Sequence, residues 1–252
     1  MYTFENQVVW VTGSSTGIGR ATALAFAKHG ADVVVHGNAN VEQAQSVAQE
    51  IEALGKNCLV VSGDVSDQKQ VAEMVEQIAR RFGRIDVLVN NAGSMIRRAR
   101  LEEMDEELWD RVMGVNLKSV YLVTQQVLPL MKQQGGGRIV NLTSVAARNG
   151  GGPGSVAYAT AKAGVSNLTR ALAKDLAEYN ILVNAVAPGV ITTPFHDRFS
   201  APDVRKSLAA SILLGREGTP EETAGSILFL ASDYAKYITG EIIEVNGGQL
   251  MN

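Results

Sequence analysis

The chain has 252 residues, 46% hydrophobic and 19% charged, with a formal net charge of −3 and a pI near 5.7. That length and composition allow one or two domains around a sizeable core, and the mild acidity gives no sign of a nucleic-acid surface. Cys58 is the only cysteine, so no intrachain disulfide is possible, and His29, His36 and His196 are too scattered for metal-ligand spacing, so no metal is expected. The N-terminus, MYTFENQVVW, lacks the basic and apolar regions of an export signal. No apolar run approaches the roughly 20 residues that span a bilayer. A soluble, cytoplasmic protein without membrane or nucleic-acid partners is expected.

Val8-Val9-Trp10-Val11 is apolar without alternation, as in a strand buried on both faces. It runs into Thr12-Gly13-Ser14-Ser15-Thr16-Gly17-Ile18-Gly19, after which Ala21, Leu24, Ala25 and Phe26 recur at helical spacing up to Gly30. In this strand, glycine turn and helix, the glycines permit close backbone approach to a phosphate, and the helix start offers free N–H groups. The spacing is G-x-x-x-G-x-G. A second strand, Val33–Val35, ends at His36-Gly37-Asn38, roughly 20 residues beyond the loop, where an acid would bind the ribose 2′-hydroxyl of NAD. Neither an acid nor an arginine for a 2′-phosphate stands there. The missing acid removes a repulsion, which favours NADP(H) while leaving NAD(H) open. His36 and Asn38 are either ribose ligands or plain loop residues.

A helix over about 41–54 is closed by Gly55, and a third strand, Leu59–Val61, leads to Gly63-Asp64-Val65. Asp64 either reaches an adenine amino group or caps the next helix, in competition with Ser66 and Asp67. That helix carries Val71, Met74, Val75 and Ile78 and stops near Gly83. The fourth strand, Val87–Val89, leads to Asn90-Asn91-Ala92-Gly93, which is either a turn or the polar edge of a crevice at a strand's carboxyl end. Arg97, Arg98 and Arg100 follow, as a solvated loop or as a face for an anionic substrate. One long helical region is predicted from about Asp105 to Met131, apolar enough to be buried in the core or against another subunit. Asn116 sits in its middle, where an amide needs a partner.

Ile139–Leu142 reads as a fifth strand, breaking at Thr143-Ser144 before a glycine-rich loop and a helix that carries Tyr158 and Lys162. Residues four apart share a helix face, so the ammonium would favour the phenolate and bring a tyrosine of ordinary pKa, about 10, into range for acid–base work. Ser144 could hold the oxygen that the tyrosine protonates. The Tyr-Lys pair by itself is also the pattern of a surface tyrosine and a solvated lysine. A sixth strand, Leu182–Val186, ends at Pro188-Gly189-Val190-Ile191-Thr192-Thr193-Pro194. Residues 194–218 read as a mobile segment over the site, helical near 203–211. A helix over Pro220–Ala231 has an acidic first turn, and Ile242–Val245 is the last strand. Seven apolar strands alternating with helices predict an α/β fold: a single-domain Rossmann-type doubly wound parallel sheet of seven strands flanked by helices.

These motifs together resemble the short-chain dehydrogenase/reductase family. The resemblance rests on TGSSTGIG (12–19), Asp64-Val65, NNAG (90–93), Asn116, Ser144, Tyr158-x-x-x-Lys162 and PGVITT (188–193), in the family's order and over all 252 residues. It implies one NAD(P)-binding catalytic domain over 1–252. Tyr158 is then general acid in reduction and base in oxidation, and Lys162 depresses the tyrosine pKa and bonds the nicotinamide ribose. Ser144 positions the substrate oxygen, and Asn116 holds a water that links Lys162 to solvent. The resemblance places Gly13, Ser15, Gly17, Ile18 and Gly19 on the pyrophosphate and adenosine side, with Asp64 and Val65 at the adenine. Asn90, Ala92 and Gly93 line the ribose region, and Pro188, Gly189, Ile191 and Thr193 hold the nicotinamide end.

The resemblance further implies a homotetramer built on the long helices after strands four and five. It implies hydride transfer between nicotinamide and a carbonyl or secondary alcohol. The substrate is a 3-oxoacyl chain or, alternatively, a sugar or sugar acid, with His196 as a polar wall. Carrier-protein reductases often place an arginine near the end of the Tyr-Lys helix, where this chain has Glu178-Tyr179-Asn180. A non-catalytic cofactor-sensing regulator is the reading of a different class. The joint presence of Asn116, Ser144, Tyr158 and Lys162 favours the enzyme.

Overall fold

The apolar runs pair into one seven-stranded parallel sheet in a computed structural model that describes residues 2–39 and 41–251. The strands are β1 (Val8–Val11), β2 (Asp32–Gly37), β3 (Cys58–Ser62), β4 (Val87–Asn90), β5 (Gly137–Leu142), β6 (Ile181–Pro188) and β7 (Ile242–Val245), in the order β3-β2-β1-β4-β5-β6-β7. The helices are α1 (Gly17–Lys28), α2 (Val41–Ala53), α3 (Gln68–Phe82), α4 (Glu106–Met113), α5 (Ser119–Gln133), α6 (Ala146–Asn149), α7 (Val156–Leu176), α8 (Pro194–Phe199), α9 (Pro202–Ser211) and α10 (Pro220–Ala231).

The missing alternation in β1 has a direct cause. Val9 and Val11 pack with α1, α2 and α10 on one face, while Val8 and Trp10 pack with α3, α5 and α7 on the other. Both faces are covered, so every position must be apolar. Strand order reverses between β1 and β4, which opens a crevice at their carboxyl ends. The register Val11↔Val89 and Val89↔Val140 aligns the ends of β1, β4 and β5. The glycine loop, the Asn91–Gly93 turn and Thr143-Ser144 therefore emerge along one edge.

Asp67, not Asp64 or Ser66, caps α3, accepting from Gln70 N–H at 3.0 Å. The single helix predicted over 105–131 is instead α4 and α5 joined by a π-helical turn at Gly114–Lys118. Most of 194–218 is also helical, as α8 and α9, each with proline in its first turn, where the lost N–H had no helical partner. The scattered charges of that segment pair with one another: Arg205 donates to both Glu217 oxygens at 2.6 Å and also meets Asp197. No helix among the described residues is long and apolar enough to cross a membrane.

Candidate active site

A cleft of about 1140 Å³ runs along the carboxyl edge of the sheet. Its floor in the first half is the glycine loop. Gly13 and Gly17 have φ of +63° and +55°, a backbone shape that favours glycine. A Cβ on Gly13 would lie 2.9 Å from Ala92 Cα, so a larger residue would displace the neighbouring turn. Thr16 makes no side-chain cap to α1, which leaves the first amides of that helix for a ligand. This cradle fits the pyrophosphate of a dinucleotide. Gly13, Ser15, Gly17, Ile18, Gly19, Asn38, Asp64, Val65, Ala92 and Gly93 all line the cleft.

Two assignments in this half are corrected. Asn90 does not line the cleft. Its amide is buried and donates to Thr124 Oγ1 at 3.2 Å and Asn141 Oδ1 at 2.9 Å, beneath the sheet. Successive side chains on a strand face opposite sides, and Asn90 is the last strand residue, turned toward the helices. The neighbour that sequence reasoning passed over, Asn91, faces the glycine loop. Its Nδ2 donates to Thr12 O at 2.8 Å and Gly13 O at 2.9 Å. Thr12 Oγ1 in turn accepts from Asn91 N–H and Ala92 N–H at 3.0 and 3.1 Å, bolting the loop to the end of β4. The doubled asparagine is the sequence signal that points to Asn91.

His36 borders the cleft, yet both ring nitrogens are engaged by protein. Gly13 N–H donates to Nδ1 at 2.8 Å, and Nε2 lies 2.9 Å from Gly63 O. It therefore has no edge left for a ribose hydroxyl. Asn38 is exposed and keeps its side chain available. Asp64 Oδ1 accepts from Ser66 N–H and Oγ–H at 2.8 and 2.7 Å. Among the described residues, the lysines and arginines that line the cleft are Arg98, Arg111, Lys162 and Arg198, none contributed by the segments of β1, β2 and β3.

The second half carries the reactive side chains. β5 ends beside α7, so Ser144, Tyr158 and Lys162 meet at the cleft wall. Burial pushes the Tyr158 phenol up to about 12, with the neighbouring Ser144 hydroxyl opposing. Lys162 is buried, and its ammonium, pushed down to about 8 by that burial, donates to Leu142 O at 2.7 Å. Its Nζ stands 5.8 Å from the Tyr158 ring centre. Desolvation of the phenolate is the largest influence on the Tyr158 hydroxyl, and the Lys162 ammonium lies to one side of the same ring.

Asn116 lies on the π turn, fully buried behind Gly93 rather than on the cleft surface. Its Nδ2 donates to Ser94 O at 2.7 Å and to Val112 O at 2.8 Å, and Oδ1 accepts from Ser94 N–H at 3.2 Å. The wide turn sets the amide across to the strand β4 exit, a use for which such bulges recur. Both amide hydrogens and the side-chain oxygen are thus engaged by backbone groups. A Cβ on Gly93 would fall 2.7 Å from Asn116 Oδ1 and 3.3 Å from Lys162 Nζ. Only glycine lets the three groups share that corner.

Pro188, Gly189, Ile191 and Thr193 line the wall beyond Lys162. Over Tyr158 lies an apolar roof from α8. The Phe195 and Tyr158 ring centres are 5.5 Å apart, and Phe195 and Phe199 are 4.9 Å apart. Met95, Ile96, Val204 and Leu208 extend it. Of the clustered arginines, only Arg98 lines the cleft. It ties loop to roof, donating from Nε to Phe199 O at 2.6 Å and from Nη1 to Pro153 O and Ser155 Oγ at 2.9 Å. Arg97 turns to Glu103 O and Asp105. His196 lines the cleft with Nδ1 3.2 Å from Ser200 Oγ, and burial pulls its pKa down.

A family model described as enoyl-(acyl carrier protein) reductase matches residues 13–249. The chain is 47% identical to the 3-oxoacyl-[acyl-carrier-protein] reductase FabG of Thermotoga maritima over 244 residues, 97% of this chain and 98% of that protein. It is 44% identical to a 3-oxoacyl-[acyl-carrier-protein] reductase of Synechocystis sp., covering 97% of each. Among solved structures it superposes with TM-score 0.94 and 33% identity on a 7α-hydroxysteroid dehydrogenase complexed with NADH and 7-oxo glycochenodeoxycholic acid, covering 99% and 97% of the two chains. An NADH-dependent reductase responsible for alginate metabolism matches with TM-score 0.90 and 32% identity over 99% of each chain. The chain belongs to the short-chain dehydrogenase/reductase family and is an NAD(P)-dependent oxidoreductase acting between a carbonyl and a secondary alcohol.

Proposed function

We propose that this enzyme reduces the 3-oxo group of an acyl thioester, with Tyr158 as the proton donor. The observation that carries the reading is the roof over Tyr158: Phe195, Phe199, Met95 and Ile96 suit an alkyl chain, whereas a sugar would need hydrogen-bond partners there. The names of the Thermotoga and Synechocystis relatives support it. Arg111 and Arg198 at the cleft offer charge to the anionic groups of a thioester carrier.

A nicotinamide cofactor held in this cleft would supply the hydride. Ser144 Oγ–H donates to the substrate oxygen and holds it at the Tyr158 hydroxyl. Tyr158, held as a phenol at neutral pH, has its proton ready for that oxygen as negative charge develops. Lys162 keeps one N–H on Leu142 O and turns the others toward the ribose hydroxyls, while Asn116 fixes the Gly93-Ser94 backbone against it. Gly13, Ser15, Gly17, Ile18 and Gly19 would receive the pyrophosphate, Asp64 and Val65 the adenine, Ala92 and Gly93 the ribose, and Pro188, Gly189, Ile191 and Thr193 the nicotinamide. Both NADP(H) and NAD(H) are accepted. NADP(H) gains from the missing acid, but no cation from the β1–β3 side of the cleft holds a 2′-phosphate. The enzyme is a cytoplasmic homotetramer, with Tyr121 on α5 left exposed for a partner subunit.

The test follows reduced-nicotinamide absorbance with NADPH and with NADH against acetoacetyl-CoA, and the reverse reaction against glucose and gluconate. Thioester reduction with both cofactors, differing less than about tenfold in kcat/KM (~1.4 kcal/mol), is the expected result. Turnover of the sugars alone would replace the substrate class, and tight dinucleotide binding with no turnover would make the chain a sensor. Size-exclusion chromatography with light scattering reads the oligomer.

A further inference from the structure

The His36 ring, 2% exposed at the end of β2, is held in one protonation state by its neighbours. Gly63 O can only accept, so Nε2 carries the ring proton across the 2.9 Å contact. Gly13 N–H can only donate, so Nδ1, 2.8 Å away, carries none. The backbone of the same residue holds Ser14: His36 N–H donates to Ser14 Oγ at 2.9 Å, and Ser14 N–H donates to His36 O at 3.0 Å. One residue thus grips two successive members of the glycine loop just before the stretch that lines the cleft. Gly13 itself holds a left-handed φ of +63°, and its amide points at the imidazole.

We infer that His36 is a positioning residue for the dinucleotide: its Nδ1 holds the glycine loop, through Gly13, in the shape that receives the cofactor, without touching the cofactor. This rests on the nicotinamide reading of the cleft. Protonating the ring would set a second N–H against the Gly13 N–H and release the loop. The groups that act on the ring are the Asp64 carboxylate and Gly63 O, which favour the imidazolium, and burial, which outweighs both and lowers the pKa. Dinucleotide affinity therefore holds through neutral pH and weakens in acid, below the ordinary histidine range of about 6.5.

Two variants separate the clamp from simple packing. In His36→Asn the amide oxygen takes the place of Nδ1 and still accepts from Gly13, but the side chain is too short for Gly63. In His36→Gln the amide reaches Gly63 and leaves Gly13 unpaired. Dissociation constants for NADH and NADPH are read by cofactor fluorescence, together with kcat at saturating cofactor and hydrogen exchange of the Gly13 amide. His36→Gln should weaken both cofactors about tenfold and expose the Gly13 amide, while His36→Asn stays within about twofold of wild type. Both should keep kcat within about twofold, since the chemistry is untouched. As the pH falls below about 6.5 the wild-type dissociation constant should rise and that of His36→Asn should stay level. Equal loss in both variants, wild-type binding by His36→Gln, or a fall in kcat at saturation would overturn the clamp. Absence of dinucleotide binding by the wild-type chain would instead remove the nicotinamide reading, with Gly13 exchange in the two variants still deciding whether Nδ1 holds the loop.

Discussion

In the half of the cleft built by β1, β2 and β4, polar side chains turn toward the protein. Thr12, His36 and Asn91 bond loop backbone, and Asn90 lies beneath the sheet, so what faces a ligand is mainly main-chain N–H groups and glycine surface. In the half built by β5, β6, α7 and α8, the side chains themselves face the cleft: Ser144 and Tyr158 present hydroxyls, and Phe195 forms the roof. A dinucleotide is the same molecule at every turnover, so rigid backbone suits it. Reaction and substrate choice need groups that can donate a proton or fit a particular shape. Changes in the first half should therefore act on cofactor affinity, and changes in the second on turnover.

The largest expected effect is that of Tyr158→Phe. Loss of the phenol should lower kcat by about 10²–10⁴ with the cofactor dissociation constant nearly unchanged. If turnover persisted within a few-fold, the division between the halves would fail at its centre. Next comes the alkaline limb of reduction. Lys162 loses its charge above about 8, whereas Tyr158 stays a phenol to about 12, so kcat/KM should fall as pH rises past 8, approaching about tenfold per unit. A flat profile to pH 10 would show that the ammonium is not needed.

Asn91→Ala tests the inward-turned set. It leaves Thr12 O and Gly13 O without their amide, and dinucleotide binding should weaken about tenfold while kcat at saturation holds. A drop in kcat with unchanged binding would reverse the comparison. Smallest is Asn38→Asp, at an exposed position on the cleft. The added charge should shift the ratio of NADP to NAD kcat/KM toward NAD by several-fold (~1 kcal/mol). An unmoved ratio would place the 2′ position away from Asn38.

Most of the architecture was legible in the sequence because parallel strands buried on both faces leave unbroken apolar runs, and each run here became a strand. The family motifs were legible for a related reason. Glycines at 13, 17 and 19 answer a local backbone demand, and Tyr158 and Lys162 share a helix face whatever surrounds them. The errors share a different cause. Asn91 rather than Asn90 faces the glycine loop, and His36 spends both ring nitrogens on backbone groups. Each depended on which way a polar group points and how deeply it is buried.

Composition and pattern by themselves determined the fold class, the strand positions and the set of groups that meet at the carboxyl edge, since these follow from periodicity and chain connectivity. Tertiary structure alone decided the π turn that carries Asn116 to Ser94, the pairing of Arg98 with the α8 roof, and the single tautomer of His36. Those outcomes rest on hydrogen bonds between residues far apart in the chain, and on desolvation set by everything packed around them.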